Sequence, residues 1–230
     1  MLHAMLRAAT RIYYAQEVLA DSPVAYWRLG EASGTTAVDE MGSNDGTYNG
    51  GTLGVAGLLV DDTDTAVDFD GVDDNVSLPP AAVVSGQQVS VEVWTGTTTT
   101  GASATAFRAF TSSARVVNAH LPWSDYTVYW DAGGGTVYDR ISKSSTGIDF
   151  TAPHHWVFIK DATAGVMEIY LDGSLWHSGS GLTLPVGSPT TFFLGRGEND
   201  FHECVIDEFA VYDTALSAAR IEAHYNAGTS

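Results

Sequence analysis

The stretch His120-Leu121-Pro122-Trp123-Ser124-Asp125-Tyr126-Thr127-Val128-Tyr129-Trp130-Asp131-Ala132-Gly133-Gly134-Gly135 gathers residue types that recognise sugars. It sets Trp123, Tyr126, Tyr129 and Trp130 beside Asp125 and Asp131, with Asp139 and Arg140 close behind. A flat aromatic ring covers the apolar C–H face of a sugar, and carboxylates fix its hydroxyls. Glycines at the end of the stretch permit close approach of the backbone. On this reading the glycan-binding candidates are Trp123, Asp125, Tyr126, Trp130 and Asp131. The same aromatics also suit a packed interior. Tyr129 and Trp130 are neighbours on a strand, so at least one of them points inward.

A second cluster, Asp68, Asp70, Asp73 and Asp74, surrounds one turn. Aspartate favours turns because its side chain bonds to nearby backbone. It also supplies hard oxygen ligands for calcium. Both readings stay open. Catalytic patterns are missing. A glycosidase of a β-sandwich needs paired carboxylates on one strand face, in the manner of Glu-x-Asp-x-Glu. Asp68 and Asp70 share a face without a third member, and the adjacent Asp207 and Glu208 face opposite sides. There is no Gly-x-Ser-x-Gly elbow, and nothing activates Cys204, which suits a buried apolar site. His154 and His155 diverge along a strand and make no metal set with His177. The chain is expected not to be an enzyme.

These residues must be positioned by a β framework. The chain has 230 residues, 44% of them hydrophobic, so one large sandwich can build a full core. Its net charge of −18 repels phosphate backbones and anionic bilayers, so neither nucleic acid nor membrane is an expected partner. One cysteine excludes an internal disulfide framework. The opening residues lack a long apolar run, and neither a signal peptide nor a membrane span is expected.

Leu2, Met5, Leu6, Ala9, Ile12 and Tyr13 recur at helical spacing, and Asp21-Ser22-Pro23 stops the pattern. From Val24 the pattern is β. Val24–Leu29 is a first strand, and residues 30–64 read as loops with short strands. Ala66–Asp70 and Asn75–Leu78 follow. Val89–Trp94 alternates with period two, as a half-buried strand does. Further strands fall near 105–111, 115–121, 126–131, 136–142, 155–160, 166–172, 191–195 and 204–212. Asp172-Gly173 marks a tight hairpin. Ser217 caps a closing helix over Ala218–Asn226, with Gly228 near its end. Trp27, Trp94 and Trp156 read as core. Many short strands imply a sandwich or barrel. The expected division is an N-terminal arm over residues 1–22 and a sandwich over 23–230.

Four segments, in order, resemble the laminin-G/concanavalin A-like superfamily. They are Ala25-Tyr26-Trp27-Arg28-Leu29-Gly30-Glu31 with Gly34–Asp39 and Gly46-Thr47-Tyr48; Ala66–Gly71 with Asp73–Val76; His155–Phe158 with Ile169–Gly173; and Ile206–Tyr212 with the closing helix. The resemblance implies an all-β, two-sheet antiparallel jelly-roll sandwich. It also implies a structural calcium ion (Ca2+) at the sandwich rim. Glu31 and Asp207 occupy resemblance positions and join Asp68, Asp70, Asp73 and Asp74 as metal candidates. The run Val18–Leu29 is similar to openings of laminin-G-like modules in virion proteins of tailed bacteriophages. That implies a non-catalytic capsid decoration or tail component on a virion surface, anchored to other virion proteins through residues 1–22 and displaying a glycan-binding domain. The alternative is a secreted or cell-surface carbohydrate-binding module, and a glycoside hydrolase ranks last.

Overall fold

The computed structural model describes residues 13–112 and 114–230. Helix α1 (Tyr14–Ala20) precedes β1 (Ala25–Trp27), β2 (Thr36–Ala37), β3 (Gly46–Asn49), β4 (Thr52–Ala56), β5 (Thr65–Asp70) and β6 (Asn75–Leu78). Next come β7 (Gln88–Gly96), β8 (Thr105–Thr111), β9 (Ala114–His120), β10 (Thr127–Gly133) and β11 (Tyr138–Ser144). The chain continues through β12 (His154–Asp161), β13 (Val166–Leu171), β14 (Ser174–Ser180), β15 (Thr191–Leu194) and β16 (Glu203–Tyr212), and closes with α2 (Ala218–Gly228).

Two antiparallel sheets form the sandwich. The first runs β14-β13-β12-β7-β16-β5-β4, with β1 also paired to β16. The second runs β11-β10-β9-β8-β15-β6-β3-β2. Strand β16 changes partner along its length. Residues 203–206 pair with β5 and residues 209–211 with β1. Between them the ladder to β7 is bulged, with Glu208 at φ 53°. The Asp172-Gly173 hairpin has both residues at positive φ, 50° and 75°, the turn that a right-twisted ribbon requires. Ser217 accepts the Arg220 amide and caps α2.

The core lies between the sheets. Trp27, Phe107, Trp130, Phe158, Phe192 and Phe209 fill it, and the Phe107–Phe158 and Trp27–Phe209 ring centroids are 5.5 and 5.7 Å apart. Such pairs add about 0.5–1.5 kcal/mol each beyond burial. A second apolar layer covers the other face of the first sheet. There α1 and α2 lay Tyr14, Val18, Ile221 and the half-buried Tyr225 over Trp94, Val157 and Tyr212.

That second layer corrects the half-buried reading of β7. Its alternation is real, yet all positions from Val89 to Gly96 are buried. The polar face includes Glu92, fully buried beneath the helices. Glu92 accepts bonds from Tyr14 (2.7 Å), Tyr212 (2.8 Å), His155 (2.7 Å) and His224 (3.0 Å). Residues 14–22 of the expected arm therefore belong to the body. Tyr14 reaches Glu92, and Asp21 pairs with Arg220 and His224. Residues 1–12, the rest of that expectation, lie outside the described residues.

Candidate functional site

The outer face of the second sheet carries two adjoining cavities of about 200 and 360 Å³. They share Arg115, His120 and Trp123. The first is completed by Asp125, Tyr129 and Arg140, and the second by Arg108, Glu198, Asn199 and Asp200. Strand parity explains the lining. Val117 and Ala119 point into the core, so Asn118 and His120 point out, and Trp130 inward places Tyr129 and Asp131 outward.

The floor is a fixed electrostatic network. Asp131 is fully buried and takes Arg140 in a fork, with Nη2 to Oδ2 at 2.9 Å, and Arg115 Nη1 at 2.7 Å. The Arg140 guanidinium lies over the Tyr129 ring at 4.7 Å. Tyr129 donates to Asp125 at 2.7 Å, and that bond holds the Asp125 carboxyl below its usual range. His120 sits 3.0 Å from Thr105 through Nδ1 and 3.2 Å from Asn118 through Nε2. Burial, then the Arg115 and Arg140 charges, pull its pKa down to about 3. It is a neutral imidazole, and Trp123 packs over it at 4.3 Å. The Thr105 hydroxyl donates a hydrogen bond to Asp200. Asn118, 1% exposed, keeps its Oδ1 without a hydrogen-bond partner among the described residues.

The site residues expected from sequence divide. Trp123 and Asp125 line the first cavity, and Asp131 lies in the hydrogen-bonded floor beneath it. Tyr126 is 52% exposed at the loop tip, with φ 58°, and is not part of the lining. Trp130 is corrected outright. It is a core residue whose Nε1 donates to the Ile159 carbonyl at 2.9 Å. Strand alternation lets Tyr129 or Trp130 face out, not both, and Tyr129 does. Arg108, Arg115, His120 and Arg140 were missed as site residues. They come from three different strands, β8, β9 and β11, and only the register between those strands unites them.

The six metal candidates also divide. One carboxylate oxygen each from Asp70, Asp73 and Asp74 lies within 4.8 Å of the others. Two of these side chains already hold backbone. Asp74 accepts from Gly51 (2.7 Å) and Asp70 (3.0 Å), and Asp70 from Val72 (2.8 Å). Asp68 lies close enough that burial, and then the charges of Asp74 and Glu203, raise its pKa. Glu31 and Asp207 do not join them. Glu31 accepts from Val38 and Tyr48, and Asp207 from Leu58. Both belong to a separate acidic group around Arg28 with Asp64. An oxygen-only donor set suits calcium by type, and Asp73 is its least committed member.

The sequence profile of the concanavalin A-like lectin/glucanases superfamily (Laminin_G_3) matches residues 70–222. The chain belongs to that superfamily. No curated protein matches it significantly in sequence. Among solved structures, the botulinum neurotoxin serotype D binding domain superposes with a TM-score of 0.69 at 13% identity, over 90% or more of this chain (91%) and 52% of its own. The receptor-binding domain of the C/D mosaic serotype gives 0.66 at 13% identity, covering 90% and 51%. Trypanosoma rangeli sialidase gives 0.62 at 13% identity, covering 87% and 32%. The chain spans about half the length of the toxin domains and a third of the sialidase. At such identities the likeness is one of fold, shared by binding domains and an enzyme alike. No helix among the described residues is long and apolar enough to cross a membrane.

Proposed function

We propose that this chain is a non-catalytic glycan-binding module whose site is the groove around Trp123. The observation that carries the reading is the wall shared by the two cavities, where Trp123 packs on His120 beside Arg115. An aromatic surface beside fixed donors and acceptors is the composition of a sugar site. The test is a glycan array followed by calorimetry on Trp123→Ala and Arg140→Ala. Both variants should lose at least tenfold in affinity with unchanged circular dichroism. Unaltered binding by either variant would remove the groove as the site.

The module is displayed on a virion surface as a capsid decoration or tail component, held to other virion proteins through its N-terminal segment. The similarity of Val18–Leu29 to phage virion modules supports this setting. Because residues 14–22 are built into the body, the anchoring test removes residues 1–12 only. Loss of particle binding by the shortened chain is expected. Equal binding would favour the alternative of a secreted or cell-surface module. A structural calcium ion at Asp70, Asp73 and Asp74 belongs to the same reading. Calcium should raise the melting temperature of the wild type and leave Asp73→Asn unmoved, and equal responses would exclude that site.

A further inference from the structure

We infer that two copies of this chain pair about a two-fold axis, the Val72 loop of each seated on the Phe193, Arg196 and Phe201 side chains of the other. The inference is independent of the groove and of the glycan reading.

The loop is a rigid apolar knob. It joins β5 to β6 through residues 71–74, and Val72 is the most exposed large apolar side chain among the described residues, at 70%. An exposed valine is ordinary by itself. This one is held out on a fixed frame. Asp70 accepts the Val72 amide at 2.8 Å, and Asp74 accepts the amides of Asp70 (3.0 Å) and Gly51 (2.7 Å). Gly71, at φ 73°, packs against Glu203 so closely that a Cβ there would meet the Glu203 Cβ at 2.7 Å. A knob already ordered loses little entropy on docking. Beside it stands the exposed Asp73, whose carboxylate accepts no hydrogen bond among the described residues.

The receiving surface is aromatic and cationic. Arg196 lies between two rings, 4.7 Å from the Phe193 centroid and 5.3 Å from that of Phe201. Phe110 packs beside Phe193, with centroids 6.1 Å apart. All four residues are partly exposed. The other described arginines, Arg28, Arg108, Arg115, Arg140 and Arg220, each hold a carboxylate. Arg196 holds none among the described residues. Phenylalanine and arginine together are enriched at the centres of protein interfaces.

Complementarity names the occupant. The surface offers aromatic rings and a cation without a counter-charge, and the loop offers an aliphatic tip and a carboxylate without one. Both lie at one end of the molecule. Phe201 bridges Arg196, and two residues further on Glu203 begins β16, pairs with Asp70 and packs on Gly71. A patch that carries both halves side by side is self-complementary, and a two-fold axis uses each half twice. Asp73 of one copy then answers Arg196 of the other. The net charge of −18 opposes association at long range, but at 0.15 M salt that repulsion is screened beyond about 8 Å while the contact pair is not.

The test is sedimentation velocity on the full chain in 0.15 M NaCl, with EDTA because calcium would compete for Asp73. A concentration-dependent dimer is expected. Val72→Ser, Asp73→Arg and Arg196→Glu should each weaken it at least tenfold with unchanged circular dichroism. An equimolar mixture of the Asp73→Arg and Arg196→Glu chains restores both charge pairs across a mixed dimer and should associate nearly as well as the wild type. A wild type that stays monomeric at every concentration reached, or a mixture no better than its components, would overturn the pairing. Species that keep growing past the dimer with concentration would overturn the two-fold arrangement.

Discussion

At the residue scale, Asp131 sets the charge of the proposed groove. It is buried between Arg115 and Arg140, and its single charge offsets part of theirs. Asp131→Asn should weaken neutral glycan binding and create measurable, salt-sensitive binding of heparin, because two guanidiniums are released. A variant that gains no affinity for heparin would show that the arginines are not balanced by this carboxylate. His120 gives the opposite kind of expectation. With a pKa held near 3 by burial and by Arg115 and Arg140, it stays neutral from pH 5 to 8. Glycan affinity measured over that interval should show no inflection near pH 6.5. An inflection there that disappears in His120→Asn would contradict the neutral imidazole.

At the element scale, Glu92 fastens both helices to the sheet. Burial alone would raise its pKa, but the charge of His224 and the bonds from His155 and His224 outweigh burial and hold it low. Removing one member of such a buried charged set costs about 3–5 kcal/mol, because the partners stay buried without it. Glu92→Ala should lower unfolding stability by that amount in urea, and a loss under 1 kcal/mol would refute the fastening role. The sequence made some of this legible. The Asp172-Gly173 turn, the Ser217 cap and the strand near 89–94 need only local chemistry, and all three are found. Glu92 looked like the wet side of a half-buried strand because the helices that cover it are distant in sequence. The candidate site was legible only in part for a related reason. Alternation says that Tyr129 and Trp130 face opposite ways, but not which way. Arg108, Arg115 and Arg140 are three of only ten basic residues, a signal that local reading passes over until pairing aligns them.

At the scale of the whole molecule, buried ionisable groups set an optimum of pH. His224 is raised because Glu92 and Asp21 outweigh its burial, and burial pushes Asp207 up to about 7 and Glu208 to about 8. Groups raised on folding stabilise fully below their unfolded values, and that stability is lost as pH rises through the folded ones. Glu92 is lowered, so its contribution fades as pH falls through its folded value. His120 and His202, held neutral by burial near 3 and 4, also favour unfolding as pH drops below about 6.5. The melting temperature should peak near pH 6 and fall by several degrees toward pH 9. Scanning calorimetry across pH 4–9 checks this, and a maximum above pH 8 would contradict it.

Helices α1 and α2 lie side by side, joined by Arg220 to Glu17 and Asp21, on the face of the sandwich that turns its back on the groove. The first and last described elements thus lie on one side of the body, and the proposed groove opens on the other. Anything joined after α2, whether a neighbouring domain, a particle or a chip surface, holds the domain from behind. Many copies fixed this way present the proposed groove outward together. A weak affinity per groove then becomes strong adhesion through number alone.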